Sequence, residues 1–360
     1  MDVGYFTMPL HPPGSDPART LADDLEQIVV LDRLGFAEAW IGEHFTSVWE
    51  NIPCPDLFIA QALAKTERIK LGTGVSCLPN HNPLMLAQRI AQLDNMARGR
   101  FYWGIGSGGF VGDFEIFDVD QKNLEQRKLT RDILETVLML WDDPRPGLYE
   151  HPRWRFRVPE PQDDIGLALH MRPYQRPHPP IAVAGLGPRS DMLTLAGERG
   201  WIPMSINVVP TSTLQAHWRT YAESAERAGR TPDRARWRIA RNVYVGDTPA
   251  QARRDVLDGV IARDFAAYFF PMLGKQNQMI FFKSDPDLPD DAITMEYVYD
   301  NIWIAGDVDE VTAKLRRLYD DVGGFGTLLV IGHEWTPKDA WLRSMERLAA
   351  EVVPRLPSVA

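Results

Sequence analysis

His44 stands directly after Trp40-Ile41-Gly42-Glu43, a short apolar run that ends in a carboxylate. An imidazole titrates near neutral pH, so at the lip of a cleft it can take or give a proton. A histidine in that place can also simply pack, or cap a loop. A second segment, Gly104-Ile105-Gly106-Ser107-Gly108-Gly109, fits the G-x-G-x-x-G spacing of dinucleotide-binding loops. Its context argues against that fold. It falls late in the chain, and Phe110-Val111-Gly112-Asp113-Phe114-Glu115 predicts no helix after it. The run reads better as a tight glycine loop that lets a flat ligand approach the backbone, or as a plain turn. A third segment, Gly185-Leu186-Gly187-Pro188-Arg189-Ser190, ends in a favourable helix N-cap. Free N–H groups at a helix start attract phosphate, and Arg189 would add charge-assisted hydrogen bonds. An ordinary capped loop fits that segment equally.

The remaining chemistry-bearing residues are scattered. Glu43 and the carboxylates between Asp291 and Asp300 have no pattern that brings them together. His11, His81, His178 and His333 show no spacing of a metal site, so none is expected. Cys54 and Cys77 are too few for a disulfide framework and read as buried, reduced thiols. Trp40, Trp49, Trp103 and Trp335 read as core or rim packing, with some free to line an apolar substrate cavity.

What must position these residues is an alternation of strands and helices. Strands are predicted at 3–8, 37–41, 69–75, 101–105, 180–184, 201–206, 236–245 and 326–331, with helical periodicity between them. Eight such units predict a parallel sheet closed into a (β/α)8 TIM barrel over a single domain, 1–360. Two excursions interrupt the rhythm. Residues 142–178 are rich in Pro, Arg and aromatics and predict a hairpin of 154–158 with 167–172. A second insertion, about 265–300, reads as irregular through residue 289. In such barrels the site lies at the C-terminal strand ends. That places His44, Gly74–His81, Gly106–Asp113, Gly185–Ser190, Ser205–Val208 and His333–Trp335 at one mouth.

The composition, 44% hydrophobic and 24% charged with a net charge of −10, is that of a globular domain. It argues against a nucleic-acid partner, which would call for a basic face. No apolar run is long enough for a membrane span, and the first residues lack a signal peptide's basic start, which predicts a cytoplasmic protein.

Taken together, several segments resemble the bacterial luciferase-like flavin monooxygenases. They are Trp40-Ile-Gly-Glu-His44-Phe-Thr, Lys70-Leu-Gly-Thr-Gly74-Val75-Ser-Cys-Leu-Pro79, His81-Asn-Pro83, Leu93-Asp-Asn-Met-Ala-Arg-Gly-Arg-Phe101, Gly104-Ile-Gly-Ser107 and Asp113-Phe114. A weaker likeness continues through Ala182-Val-Ala-Gly185 and Leu195-Ala-Gly-Glu-Arg199 to the end. Glu43-His44, Trp49-Glu-Asn-Ile-Pro53, the run Tyr299–Gly306 and Gly323-Gly-Phe-Gly-Thr327 are similar to the branch of diketocamphane and limonene monooxygenases.

The resemblance implies reduced FMN at the mouth, with His44 in the place of the family's active-site histidine. It implies a non-proline cis peptide at Gly74–Val75 under the flavin ring. Gly106 and Ser107 would lie against the cofactor, and Ser107, Gly185, Leu186 and Ser190 near its phosphate. Gly106 stands where luciferase has a reactive cysteine, Ser107 replaces an arginine, and a single His44 replaces two histidines. Light emission is therefore not implied, and phosphate binding would fall to Arg189 and helix N–H groups. The implied activity is that of a two-component monooxygenase. A separate flavin reductase supplies reduced FMN, and O2 oxygenates an apolar, cyclic or terpenoid small molecule by Baeyer–Villiger insertion, hydroxylation or epoxidation. His44 would manage a proton, and the second insertion would close over the site. The family's habit of pairing through the helices after the early strands implies a homodimer. Two alternatives stay open: a coenzyme F420-dependent oxidoreductase on the same barrel, and a non-catalytic flavin-binding subunit.

Overall fold

The computed structural model describes residues 1–8 and 10–358. Eight strands form the barrel: β1 (Asp2–Thr7), β2 (Glu38–Ile41), β3 (Lys70–Thr73), β4 (Phe101–Gly106), β5 (Ile181–Gly185), β6 (Ile202–Ser205), β7 (Arg238–Arg241) and β8 (Thr327–Ile331). Each pairs in parallel with the next, and β8 pairs with β1, so the sheet closes without an edge. Residues 76–77 add a short ladder against the end of β4, at Ile105 and Gly106.

Register decides what faces inward. Phe6, Trp40, Gly72 and Tyr102 are neighbours across β1 to β4, and so share one face. That face is the interior: Trp40 is fully buried there with Ala182, Ile202, Met204, Ala240, Leu329 and Ile331. Two glycines make room for the indole. A Cβ on Gly72 would sit 2.5 Å from the Trp40 ring, and one on Gly104 would sit 2.0 Å from the Thr73 carbonyl oxygen. Beneath the ring, Glu38 accepts from Arg238 at 3.1 and 3.0 Å and from the Trp40 indole at 2.9 Å. The lower barrel is thus plugged by an aromatic ring over a paired charge, and a cavity lies at the C-terminal end. Outward-facing residues such as Val3, Tyr5, Ala39, Leu71 and Phe101 join the larger core under the helices.

The helices begin and end where local chemistry dictates. The first, Pro17–Leu34, starts at Asp16, whose carboxylate accepts from the Ala18 amide, and stops at Gly35 in the left-handed region. Helices at 55–63, 83–97, 125–142, 191–199, 211–227, 308–322 and 338–347 complete the outer layer.

Four expectations need correction. The strand predicted over 236–245 is two: the chain leaves the barrel at Asn242, and Val243–Val245 pairs in parallel with Ile304–Gly306 outside it. Apolarity alone cannot tell these two partners apart. In the first excursion, Trp154–Val158 pairs with Gly147–His151 across a two-residue turn, not with 167–172. The nearer partner needs the shorter loop, and Leu167 keeps only one bridge, to Gln162. The segment after Gly109 does form a short helix, Val111–Ile116. The second insertion is largely helical where irregularity was expected. Val260–Asp264 runs through a π-helical turn, Phe265–Phe269, into Phe270–Lys275. The widened turn precedes Pro271, which has no amide hydrogen to give, so proline and aromatics there are compatible with a continuous helix.

Candidate active site

β2 ends at Ile41, and the chain turns so that Glu43 and His44 meet the mouth of the barrel. The His44 ring is 12% exposed, and its Nε2 is 3.2 Å from Glu50 Oε2. The same nitrogen is 3.4 Å from the Met8 sulfur. Nδ1 lies 3.6 Å from Asp113 Oδ2, and the ring packs on Phe110 with centroids 3.9 Å apart. Asp113 is delivered by the unexpected helix 111–116. Its Oδ1 accepts the Thr46 amide at 2.9 Å and the Thr46 hydroxyl at 2.6 Å, and the Phe45 amide adds a bond at 3.2 Å.

Electrostatics follow from these contacts. Burial alone would pull the His44 imidazole down, but the charges of Glu50 and Asp113 outweigh it, and its pKa is raised above 6.5. Burial opposes ionisation of Asp113 too, yet the adjacent His44 ring and the hydrogen bonds from Thr46 and the Phe45 amide hold its carboxyl below the usual range. Glu50 is pushed up, chiefly by burial, against the pull of His44 and Tyr268. Glu43 turns away from His44: His81 Nε2 is 3.0 Å from both of its oxygens.

Above the Trp40 plug lies a cavity of about 290 Å³. Phe6, Met8, Phe110, Phe269, Met272 and Leu273 make it predominantly apolar, and His44, Glu43 and Asn207 are among its polar members. Gly74 and Val75 form part of its wall, and the peptide between them is cis and non-proline, as the resemblance implies. Gly106 faces that bond so closely that a Cβ would stand 2.6 Å from Val75 Cγ2. Gly106, Ser107, Gly108, Ala184 and Leu186 are shared with a second, polar pocket. There Arg127, Arg131 and Arg189 meet Ser190, whose hydroxyl accepts from the Leu193 amide at the start of helix 191–199. The Thr130 and Ser107 hydroxyls are 2.9 Å apart.

His44 and the residues expected to hold the cofactor fall together, except Gly185. Gly185 does not line either pocket: it is packed behind the wall, where a Cβ would meet Leu193 at 2.4 Å and His217 at 3.4 Å. Its place there supports the loop Leu186–Ser190, which His217 also ties by a contact from Nε2 to the Gly187 carbonyl at 2.9 Å. His333, at the end of β8, is fully buried between Asp264 and Asn242 and stays out of the cavity. His11 pairs with Asp24, and Asp300 borders a different cavity. The contacts of Glu50 with His44 and Tyr268, and the arginines Arg127 and Arg131, were not foreseen. The arginine pair was legible in principle, since its i, i+4 spacing on helix 125–142 puts both on one face. Glu50 and Tyr268 meet only through the fold, at a sequence distance of 218 residues.

Known proteins are similar to this chain along nearly its whole length. The profile of the family described as luciferase-like monooxygenase matches residues 1–324. The chain is 35% identical to the 4-hydroxyprotoasukamycin monooxygenase of Streptomyces nodosus subsp. asukaensis, over 99% of this chain and 92% of that protein. It is 31% identical to the 3,6-diketocamphane 1,6-monooxygenase of Pseudomonas putida, over 99% of this chain and 98% of that one. The solved structure of the oxygenating constituent of 3,6-diketocamphane monooxygenase from Pseudomonas putida, a type II Baeyer–Villiger monooxygenase in complex with FMN, superposes with a TM-score of 0.92 at 31% identity, covering 100% of both chains. On the strength of the match and these full-length relatives, this chain belongs to the luciferase-like monooxygenase family.

Proposed function

We propose that this chain is the oxygenating component of a two-component system that takes reduced FMN from a separate flavin reductase and uses O2 to oxygenate an apolar, cyclic or terpenoid molecule. The observation that carries this reading is the continuity of two unlike pockets. An apolar cavity bearing His44 opens, past Gly106–Gly108 and Leu186, into a pocket with three arginines and a helix N-terminus. A flat, partly apolar ring joined to a phosphate fits that pair. Gly74 and Gly106 bare backbone on either side of Val75, so that the ring can approach the wall closely, and Ser107, Arg127, Arg131, Arg189 and Ser190 suit the phosphate. Leu186 lies on the boundary, where it would cover the chain between them. FMN, bound in its reduced form, supplies the activation of O2.

The chain's own residues supply the rest. His44 holds or releases a proton at Nδ1 or Nε2 beside the reacting atoms. Phe110, Phe269, Met272 and Leu273 bury an apolar substrate and exclude water. The relatives named above, one of them a type II Baeyer–Villiger monooxygenase, support the oxygenating chemistry.

The test supplies purified chain with FMN, a flavin reductase, NADH, O2 and a panel of monocyclic and bicyclic terpenoids. Oxygenated product is expected. Its absence across the panel, with no preferential binding of reduced FMN, would remove the proposal. Preferential binding of reduced F420 would instead favour hydride transfer. We also infer a homodimer, supported by Leu57, Met85 and Met96, large apolar side chains left exposed on helices 55–63 and 83–97. Sedimentation of the chain and of Leu57→Glu checks it, the variant being expected to run as a monomer.

A further inference from the structure

We propose that Glu50 is a positioning residue that keeps the shared proton on His44, and that Tyr268 makes this hold depend on the helical segment 260–275 being seated over the cavity. The inference rests on His44 being the working residue of the proposed function.

Every charged or titratable group facing His44 can be named. Asp113 lies on the Nδ1 side, Glu50 on the Nε2 side, and Glu43 and Cys77 farther off along the same wall. Asp113 is already committed to the amides and hydroxyl of the 45–46 turn, and its 3.6 Å separation from Nδ1 is longer than a hydrogen bond. It is a fixed negative charge. Glu50 differs. It is 4% exposed; its Oε2 lies 3.2 Å from His44 Nε2 and has no hydrogen-bond partner among the described residues. A proton on His44 Nε2 is within reach of Glu50 Oε2, so the two groups compete for it, and what happens at the other carboxylate oxygen biases which of them keeps it.

That other oxygen, Oε1, accepts the Tyr268 hydroxyl at 2.6 Å. The phenol has one hydrogen. Once it is given to Glu50, the Ser47 hydroxyl, 2.8 Å away, completes the chain by donating to the phenol oxygen. A buried carboxylate with a donor on Oε1 is stabilised as the anion, and the proton stays on the imidazole.

Tyr268 does not belong to the barrel. It sits in the π turn 265–269, and the segment that carries it also places Phe269, Met272 and Leu273 in the cavity wall. Trp49 stacks on its ring with centroids 5.6 Å apart, so ring and hydroxyl both dock on the loop that carries Glu50. Lifting the segment would remove the donor and admit water to Glu50 in one movement. The charge state of His44 is then tied to whether the cavity is covered.

The experiment follows the imidazole C–H resonances of the full-length chain against pH, with His44 assigned by its loss in His44→Asn. The wild type is expected to titrate above 6.5 at His44. Glu50→Gln, which keeps the side chain's size and an acceptor for Tyr268, should lower that midpoint by about one unit or more, a roughly tenfold change in the charged fraction. Glu50→Asp should restore part of it. Tyr268→Phe should move His44 in the same direction by a smaller step and speed hydrogen exchange in residues 265–275. A Glu50→Gln midpoint equal to the wild type's would overturn the role of Glu50. Unchanged exchange and titration in Tyr268→Phe would overturn the coupling. These readouts need no turnover. A chain that shows the shifts without making oxygenated product refutes the monooxygenase reading alone, and one that makes product with an unmoved His44 refutes this inference alone.

Discussion

His44 is held from two sides by carboxylates of opposite disposition, one fixed by backbone donors and one buried with a phenol. Replacing it with alanine removes the group placed to move a proton, and general acid–base contributions are typically about 10²–10⁴-fold. His44→Ala is therefore expected to lose about that much product formation while still binding reduced FMN, read by fluorescence titration. Because the folded pKa is raised, the folded state holds a proton that the unfolded chain releases near 6.5. The stabilisation is fully present below that pH and fades as pH rises through the folded value. The wild-type melting temperature should fall over that window relative to His44→Asn. In the same cavity, Asn207 is 7% exposed, and its Nδ2 has no partner among the described residues. An unpaired buried donor favours an oxygen acceptor on the substrate. Asn207→Leu should raise KM about tenfold for ketone substrates and leave hydrocarbon substrates little changed, by steady-state comparison of the two classes.

At the scale of elements, the loop after β5 is braced by one buried residue. His217 reaches from helix 211–227 to Ser205 and to the Gly187 carbonyl, and burial pushes its pKa down to about 4. A depressed histidine stabilises the fold above its unfolded pKa, and that stabilisation is lost as pH falls from about 6.5 toward 4. Unfolding by denaturant should show the wild type weakening through this window by up to about 3 kcal/mol, and His217→Gln should flatten the dependence. Elements whose pattern was local were readable in the sequence: the eight barrel strands, the N-cap at Ser190, the glycine loop at 104–109. The helix 111–116, which brings Asp113 to His44, has no side-chain cap and only six residues, too little periodicity to read. The π turn hides behind Pro271, and the pairing of Val243–Val245 with Ile304–Gly306 is a long-range choice that no window of sequence contains. The motif residues of the site were legible through the resemblance. Glu50, Tyr268 and the arginines were not, because their roles come from where the chain folds them.

For the whole molecule, the barrel separates support from chemistry. The Glu38–Arg238 pair and Trp40 close the lower end, far from the mouth in register. Removing one partner of a buried ion pair strands the other, so Glu38→Ala should cost about 3–5 kcal/mol of stability. The folded protein that remains should keep its affinity for reduced FMN, measured per folded molecule. The detour outside the barrel has a consequence of another kind. Where Val243–Val245 meets Ile304–Gly306, and the Gly246 amide donates to the Gly306 carbonyl at 2.8 Å, the chain that covers the cavity is clipped at its base like a handle on a cup. Beyond Asp264, which is tied to His333 after β8, the stretch that carries Tyr268, Phe269 and Met272 is anchored apart from β7 and β8 and is free to vary more than they are. Descent within a family could thus exchange covers while keeping one vessel, and substrate range would travel with the handle.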